Sequence, residues 1–309
     1  MIINTGQRTD IPAFYSEWFF NRLSEGYVMV KNPYDNTRLS RYILDPEVVD
    51  VIGFCTKNPE HMLPDMGKLE RYGQFWYVTL TCYEKDIEPN VLDKEEVIRS
   101  FRELSKIVGK ERVGWRYDPI LINEKYTVER HLEEFKYIAH KLKGYTDICV
   151  ISFIDIYGKV SKNYPEARAV SMENRELLGK AMTHTAKECG MIMRPCHEGR
   201  FLERFGADCS GCMTKELYEQ AAGAKLDIPK VKPSREGCRC YLSCDIGEYD
   251  TCGHMCKYCY ANNDLTAVRE NLKNHHPDSP VLIGYPDKNA IIHDVPQKSW
   301  KDLQMNLFG

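Results

Sequence analysis

Short apolar runs, each followed by a polar turn and then by apolar residues at helical spacing, recur along the first two thirds of the chain. Ile2-Ile3 opens the first run and leads into Thr5, Gly6, Arg8, Thr9 and Asp10. Pro12 then suits a first helical turn, and Phe14, Trp18, Phe19 and Leu23 make an aromatic stripe. Tyr27 to Lys31 and Leu39 to Leu44 alternate around Asn32-Pro33-Tyr34-Asp35-Asn36, the pattern of an inserted hairpin. Val48 to Phe54 is almost continuous and β-branched, as in a parallel strand buried on both faces. The strand signal returns at Phe75 to Thr81, Val113 to Trp115, Ile148 to Ile156 and Met191 to Met193. Between these runs, Asp93 and Glu96 form a capping box ahead of the stripe Val97, Phe101, Leu104 and Val108. Val128, Leu132, Phe135, Ile138 and Leu142 mark the next helix, and residues 172–189 another. Strand then helix, six times over, predicts a parallel α/β fold, either a barrel or an open sheet. No Gly-x-Gly-x-x-Gly or Gly-x4-Gly-Lys-Ser/Thr occurs, which argues against a dinucleotide or P-loop fold.

The pattern changes at Gly199. Cys209-Ser-Gly-Cys212, a short helix over residues 213–222 and the basic stretch Lys230 to Arg235 follow. Cys238 to Cys244 reads as a last strand with Cys238 and Cys240 on one face. Leu265 to Leu272 suggests one more helix, and beyond Asn274 the segment with Pro277, Pro280, Pro286 and Pro296 reads as irregular coil packed over the surface, or as partly disordered. The expected organisation is an α/β core over 1–198, a cysteine-rich region closing it over 199–262, and a helix with an irregular tail over 263–309.

With 42 Lys+Arg against 45 Asp+Glu the formal net charge is -3, so no global basic field attracts nucleic acid. No apolar run approaches the ~18 residues of a spanning helix, which argues against a membrane protein. The chain has 13 cysteines but opens MIINTGQRTD, without a basic and apolar signal segment, so a reducing cytoplasm is the expected setting. Cys55, Cys82 and Cys149 stand alone in apolar runs and read as core residues, while the others crowd between Cys189 and Cys259.

Cys252-Gly-His-Met-Cys256-Lys-Tyr-Cys259-Tyr concentrates the chemistry. Three thiols from one loop leave one iron of a 4Fe-4S cluster without a cysteine, which is the open position a catalytic site needs. The alternative at this point is a zinc site completed by Cys244 or His254. Cys196, Cys212, Cys238 and Cys240 remain for a second 4Fe-4S cluster or a zinc ion, with Cys209 and Cys244 as substitutes. Arg8, Asp10, Lys57, Asn58, Arg116, Asp118, Asp155, His197 and Glu198 all fall just after predicted strands, so together they are expected to line one cavity.

The Cys-x3-Cys-x2-Cys spacing, with Tyr258 before the last cysteine, resembles the cluster signature of radical S-adenosylmethionine enzymes. Thr251 to Asn262, preceded by Asp245-Ile246-Gly247 and joined to Gly53-Phe54-Cys55-Thr56-Lys57-Asn58-Pro59, resembles a bacterial family catalogued as domain of unknown function 1848. The resemblance covers nearly all of 1–262. It implies a partial or complete TIM-like (β/α) barrel in circularly permuted order, with the cluster strand last in sequence and beside the first in space. It also implies S-adenosylmethionine chelated at the open iron, a 5'-deoxyadenosyl radical, and an electron donor such as a flavodoxin or ferredoxin. Tyr258 and Tyr260 would then pack near the cluster or the adenine. No Gly-Gly-Glu-like stretch is present to hold the methionine amino group. The competing readings are an iron-sulfur electron carrier or redox sensor, a lesion-repair enzyme like the spore photoproduct lyases with Lys230 to Arg235 touching phosphate, and a zinc-stabilised binding module.

Overall fold

Strand residues alternate between two apolar environments, one on each side of a single large sheet. The computed structural model describes residues 1–229, 238, 240, 241 and 244–302. The first part of the chain runs β1 (Ile2–Asn4), α1 (Ile11–Phe14), α2 (Ser16–Glu25), β2 (Tyr27–Asn32), β3 (Asp35–Ile43), β4 (Val51–Thr56) and β5 (Gly73–Thr79). It continues through α3 (Lys94–Val108), β6 (Val113–Ile120), α4 (Val128–Leu142), β7 (Ile148–Phe153), α5 (Gly158–Asn163), α6 (Met172–Glu188) and β8 (Ile192–Pro195). It closes with α7 (Lys215–Ala222), β9 (Cys244–Asp245), α8 (Leu265–Lys273) and β10 (Ile291–Asp294).

Seven strands form one parallel sheet in the order β8-β7-β6-β5-β4-β1-β9, the α/β architecture that the repeating pattern predicts. The order advances one way from β1 to β8, and β9 then docks on the far side of β1, with Ile3 opposite Cys244 and Asn4 opposite Asp245. Among the described residues β8 and β9 do not pair, so the sheet is open at those edges and a closed barrel is not seen.

On one face Ile52, Phe54, Trp76, Val78, Trp115 and Ile151 pack under α2, α3, α4 and α6. On the other, Ile2, Val51, Phe75, Tyr77, Ile148 and Val150 pack against Leu217, Tyr218 and Ala221 of α7. Period-two alternation therefore sorts the buried apolar positions of the large sheet between two cores. Gly114 of β6 makes room for the Tyr77 ring, since a Cβ there would stand 2.4 Å from a ring carbon. The Asp93 and Glu96 capping box is present at the start of α3.

His131 lies fully buried within α4. Its Nε2 donates to the Leu121 carbonyl at 2.7 Å, which leaves Nδ1 to accept from the Tyr117 hydroxyl at 2.8 Å. Burial lowers its pKa from 6.5 to about 4. Above pH 6.5 neither folded nor unfolded imidazole carries a proton, and stability is intact. As pH falls from 6.5 towards 4, the unfolded state takes the proton first, and stability declines by on the order of 3 kcal/mol. Urea unfolding at pH 7 and pH 4.5 should show this loss, and a His131→Gln variant should show a shallower pH slope.

The expected irregular tail is a correction. β10 pairs in parallel with β3, completing a small sheet with the β2-β3 hairpin. Val281, Leu282 and Ile283 are buried, the Trp18 indole donates to the Ser279 carbonyl at 2.8 Å, and the Ser299 hydroxyl and Trp300 amide bond the Asp50 carboxylate at 2.5 and 2.7 Å. All four β10 side chains are exposed, so backbone pairing holds the strand and no apolar pattern announces it.

Of the expected strand over Cys238 to Cys244, only Cys244 and Asp245 form β9, while residues 239, 242 and 243, like Lys230 to Arg235, lie outside the described residues. Cys82 and Cys149 are core, as expected, whereas Cys55 shares the α7 face with Val51 and lines a cavity. No helix among the described residues is long and apolar enough to cross a membrane.

Candidate functional site

The carboxyl ends of the parallel strands and the loop after β9 enclose a cavity of about 590 Å³. That size lies within the ~300–1,000 Å³ typical of small-molecule sites. From the expected set, Arg8, Asp10, Lys57, Arg116, Asp118 and Tyr258 line it. Cys252, Cys256 and Cys259 form one part of its wall, and Cys196, Cys212, Cys238 and Cys240 another. Two thiol sets from distant parts of the chain thus face one space.

Four expected residues, Asn58, Asp155, His197 and Glu198, lie elsewhere. Asn58 is buried and caps a turn, accepting from the Glu60 amide at 3.0 Å. His197 and Glu198 line a second cavity of about 210 Å³ on the other side of the Cys196, Cys212, Cys238 and Cys240 wall. His197 has a positive φ of 64°, which redirects the chain there, and Glu198 accepts from the Phe153 amide at 2.8 Å and pairs with Arg175 at 3.1 Å. Asp155 approaches His197 at 4.0 Å, and its amide donates to the Tyr260 hydroxyl at 2.9 Å.

The loop carrying Cys252, Cys256 and Cys259 is tied on several sides. The Tyr15 hydroxyl donates to the Thr251 carbonyl at 2.6 Å, Asn90 Nδ2 to the Gly253 carbonyl at 2.8 Å, and Lys257 N to the Ile87 carbonyl at 3.0 Å. Asn262 Nδ2 closes the turn on the Cys252 carbonyl at 2.8 Å, while the Ala261 and Asn262 amides both donate to Cys259 Sγ at 3.3 Å. Amides aimed at a sulfur favour its thiolate form. Burial nevertheless pushes the Cys252, Cys256 and Cys259 thiols above their ordinary pKa. Such a set stays neutral until a bound cation compensates its charge. The three thiols, the room beside them and the amide donors therefore fit a multi-iron cluster. Among the described residues, no group of three or more His, Cys, Asp or Glu converges on a single metal ion position.

The charged lining is paired throughout. Asp10 caps α1, accepts from the Lys57 amide at 2.7 Å and meets His254 Nε2 at 2.9 Å. Lys57 Nζ pairs with Glu88 at 2.9 Å, and the Glu88 carboxylate also accepts from the Thr81 hydroxyl at 2.9 Å and from the Tyr258 hydroxyl. Burial alone would lower the Lys57 ammonium, but the Glu88 carboxylate beside it holds its pKa above the ordinary value. Arg8 pairs with Asp245 at 3.1 Å, and Arg116 pairs with Asp118 while its Nη1 reaches Cys212 Sγ at 3.8 Å. Sequence reasoning missed Glu88 and Thr81, and it offered His254 as a zinc ligand, whereas the ring meets the Asp10 carboxylate. Thr81 and Glu88 lie in the loop after β5, and polar residues in a loop at a strand's carboxyl end were the available signal.

Gly6 lines the cavity where β1 turns past β4, and a Cβ there would stand 2.3 Å from the Cys55 carbonyl oxygen. Backbone cannot yield as a side chain does. Gly6→Ala is expected to cost about 1–3 kcal/mol, read as a lowered denaturant midpoint with an unchanged slope.

No curated protein matches the chain. Among solved structures, a provisionally named alpha-L-fucosidase from Bacteroides thetaiotaomicron aligns at 14% identity and a TM-score of 0.31, over 53% of this chain and 62% of its own length. Nothing of that protein's activity transfers at this level. The family model described as Domain of unknown function (DUF1848) matches residues 2–261, a span that holds both thiol sets and all seven strands of the large sheet, and the chain belongs to that family.

Proposed function

We propose that the protein is a radical S-adenosylmethionine enzyme whose catalytic 4Fe-4S cluster is held by Cys252, Cys256 and Cys259. The observation that carries this reading is three thiols from one tied loop on the wall of a cavity large enough for a cluster and a small cofactor. When bound and reduced by a donor such as a flavodoxin or ferredoxin, the cluster and its cofactor would supply one-electron cleavage of the sulfonium. The chain's own part is to hold and shield. Lys57, fixed by Glu88, presents a cation beside Cys256, and Arg8 and Arg116 offer cations to anionic groups of a ligand. Tyr258 and Tyr260 provide aromatic wall.

The strand order supports a permuted partial barrel, because β9, which leads into the thiol loop, is last in the chain and pairs outside β1. The reducing chemistry fits a cytoplasmic setting. The test is anaerobic loading with iron and sulfide, then reduction with S-adenosylmethionine present and measurement of 5'-deoxyadenosine. Its formation supports the proposal. A loaded protein that neither binds nor cleaves the cofactor would sink it in favour of an electron carrier or redox sensor. The near-balanced net charge gives no support to a lesion-repair role.

A further inference from the structure

We propose that Cys212 and Cys240 form a thiol-disulfide exchange pair that passes two electrons to a small organic disulfide reaching them from the cavity. Their sulfurs stand 3.2 Å apart, and both residues line the two cavities. Sulfurs this close leave no room to sit on separate irons, whereas a dithiol about to join requires such contact. The bond itself is ~2.05 Å, so closing it moves the sulfurs by only about 1 Å.

The backbone holds the two thiols together. The Tyr77 hydroxyl donates to the Cys212 carbonyl. The Tyr241 amide donates to the Met213 carbonyl at 2.9 Å, and the Met213 amide donates to Cys240 Sγ at 3.4 Å, so residues 212–213 and 240–241 lie side by side.

The surroundings also suit a thiolate. The Arg116 guanidinium reaches Cys212 Sγ at 3.8 Å, and bonds of this kind strengthen as the sulfur takes charge. The Tyr218 hydroxyl is buried and has no partner among the described residues, although its side chain packs in one cluster with Cys212 and Cys240. A buried donor left unpaired is costly, and a thiolate formed during exchange gives it an acceptor.

The two thiols take different roles. Cys212 is buried and Cys240 half-buried, so Cys240 is the one an incoming disulfide meets. Hydrogen bonds from Cys212 and from the Met213 amide hold its pKa below the ordinary value. Its thiolate attacks one sulfur of the small disulfide and expels the other, leaving a mixed disulfide on Cys240. Cys212 then gives its proton to the expelled thiolate and attacks the Cys240 sulfur, releasing the second half. Two thiol protons and two electrons have left the protein, and the small disulfide departs as two thiols. A dithiol reverses the same steps. Cys196 Sγ, at 3.6 Å from Cys212 Sγ, is the farther neighbour and stays reduced. In a reducing setting such a bond is transient and serves exchange rather than structure.

None of the loop thiols takes part, so the test does not depend on the cluster reading. Reduced wild-type protein is freed of reductant, treated anaerobically with hydroxyethyl disulfide, quenched in acid, alkylated and mapped by peptide mass spectrometry. Cys212 and Cys240 should lose their alkylation and appear linked to each other, and added dithiol should restore both. A Cys212→Ser protein should instead keep an unresolved mixed disulfide on Cys240, while Cys196→Ser should close the bond as the wild type does. Three results overturn the proposal: both thiols alkylated as in the reduced sample, both inert to either reagent as metal-bound thiols are, or Cys212 linked to Cys196. Should a serine variant fail to fold, the wild-type map decides alone.

Discussion

Cys256→Ala protein, loaded anaerobically and reduced with S-adenosylmethionine, is expected to form 5'-deoxyadenosine only at the background of the reagents. Cys256 is the middle thiol of the tied loop, 6% exposed, and its carbonyl accepts the Cys259 amide at 3.1 Å. With two thiols left, an iron of the cluster loses its protein ligand, and the tying bonds of the loop cannot replace it. Cys189→Ala serves as the control, because Cys189 is buried outside both cavities. A Cys256→Ala protein that still forms 5'-deoxyadenosine would remove the loop from the chemistry.

The second large effect is on stability. Glu88→Ala is expected to lower the unfolding free energy by about 3–5 kcal/mol, because it leaves the Lys57 ammonium buried without its partner. The Glu88 carboxylate is 4% exposed and accepts from Lys57, Thr81 and Tyr258, so three donors lose their acceptor together. Glu88→Gln keeps an acceptor oxygen and should cost less. Denaturant unfolding of both variants checks the order, and a Glu88→Ala protein as stable as the wild type would show that Lys57 finds solvent or another carboxylate.

How far the sequence could be read depended on whether a feature was local. The continuous runs of β4, β5 and β7 and the Asp93 and Glu96 box announce themselves within a few residues. The loop thiols do the same through their spacing. The role of Cys55 was hidden, because a lone cysteine in an apolar run looks the same whether its face meets core or cavity. Only strand pairing and the position of α7 decide between them. His197 and Glu198 follow β8, whereas Arg116 and Asp118 lie within β6, which runs beyond the expected Val113 to Trp115, and a positive φ at His197 accompanies the turn towards the second cavity. The partners of the thiol loop, Tyr15 and Asn90, are far away in sequence, and β10 carries no apolar signal at all.

The docking of β9 outside β1 has a consequence for how the molecule is made. Synthesis delivers the amino-terminal strands first, and pairing across nearly the whole chain length is intrinsically slow. Six strands of the large sheet are in hand before Cys244 and Asp245 emerge. Until then β1, with Ile2 and Ile3 buried in the finished protein, is an unprotected edge of the kind that recruits other chains. A nascent chain released before residue 244 would keep that sticky edge and lack the loop with Cys252, Cys256 and Cys259, so truncation at this point couples aggregation to an unfinished cavity.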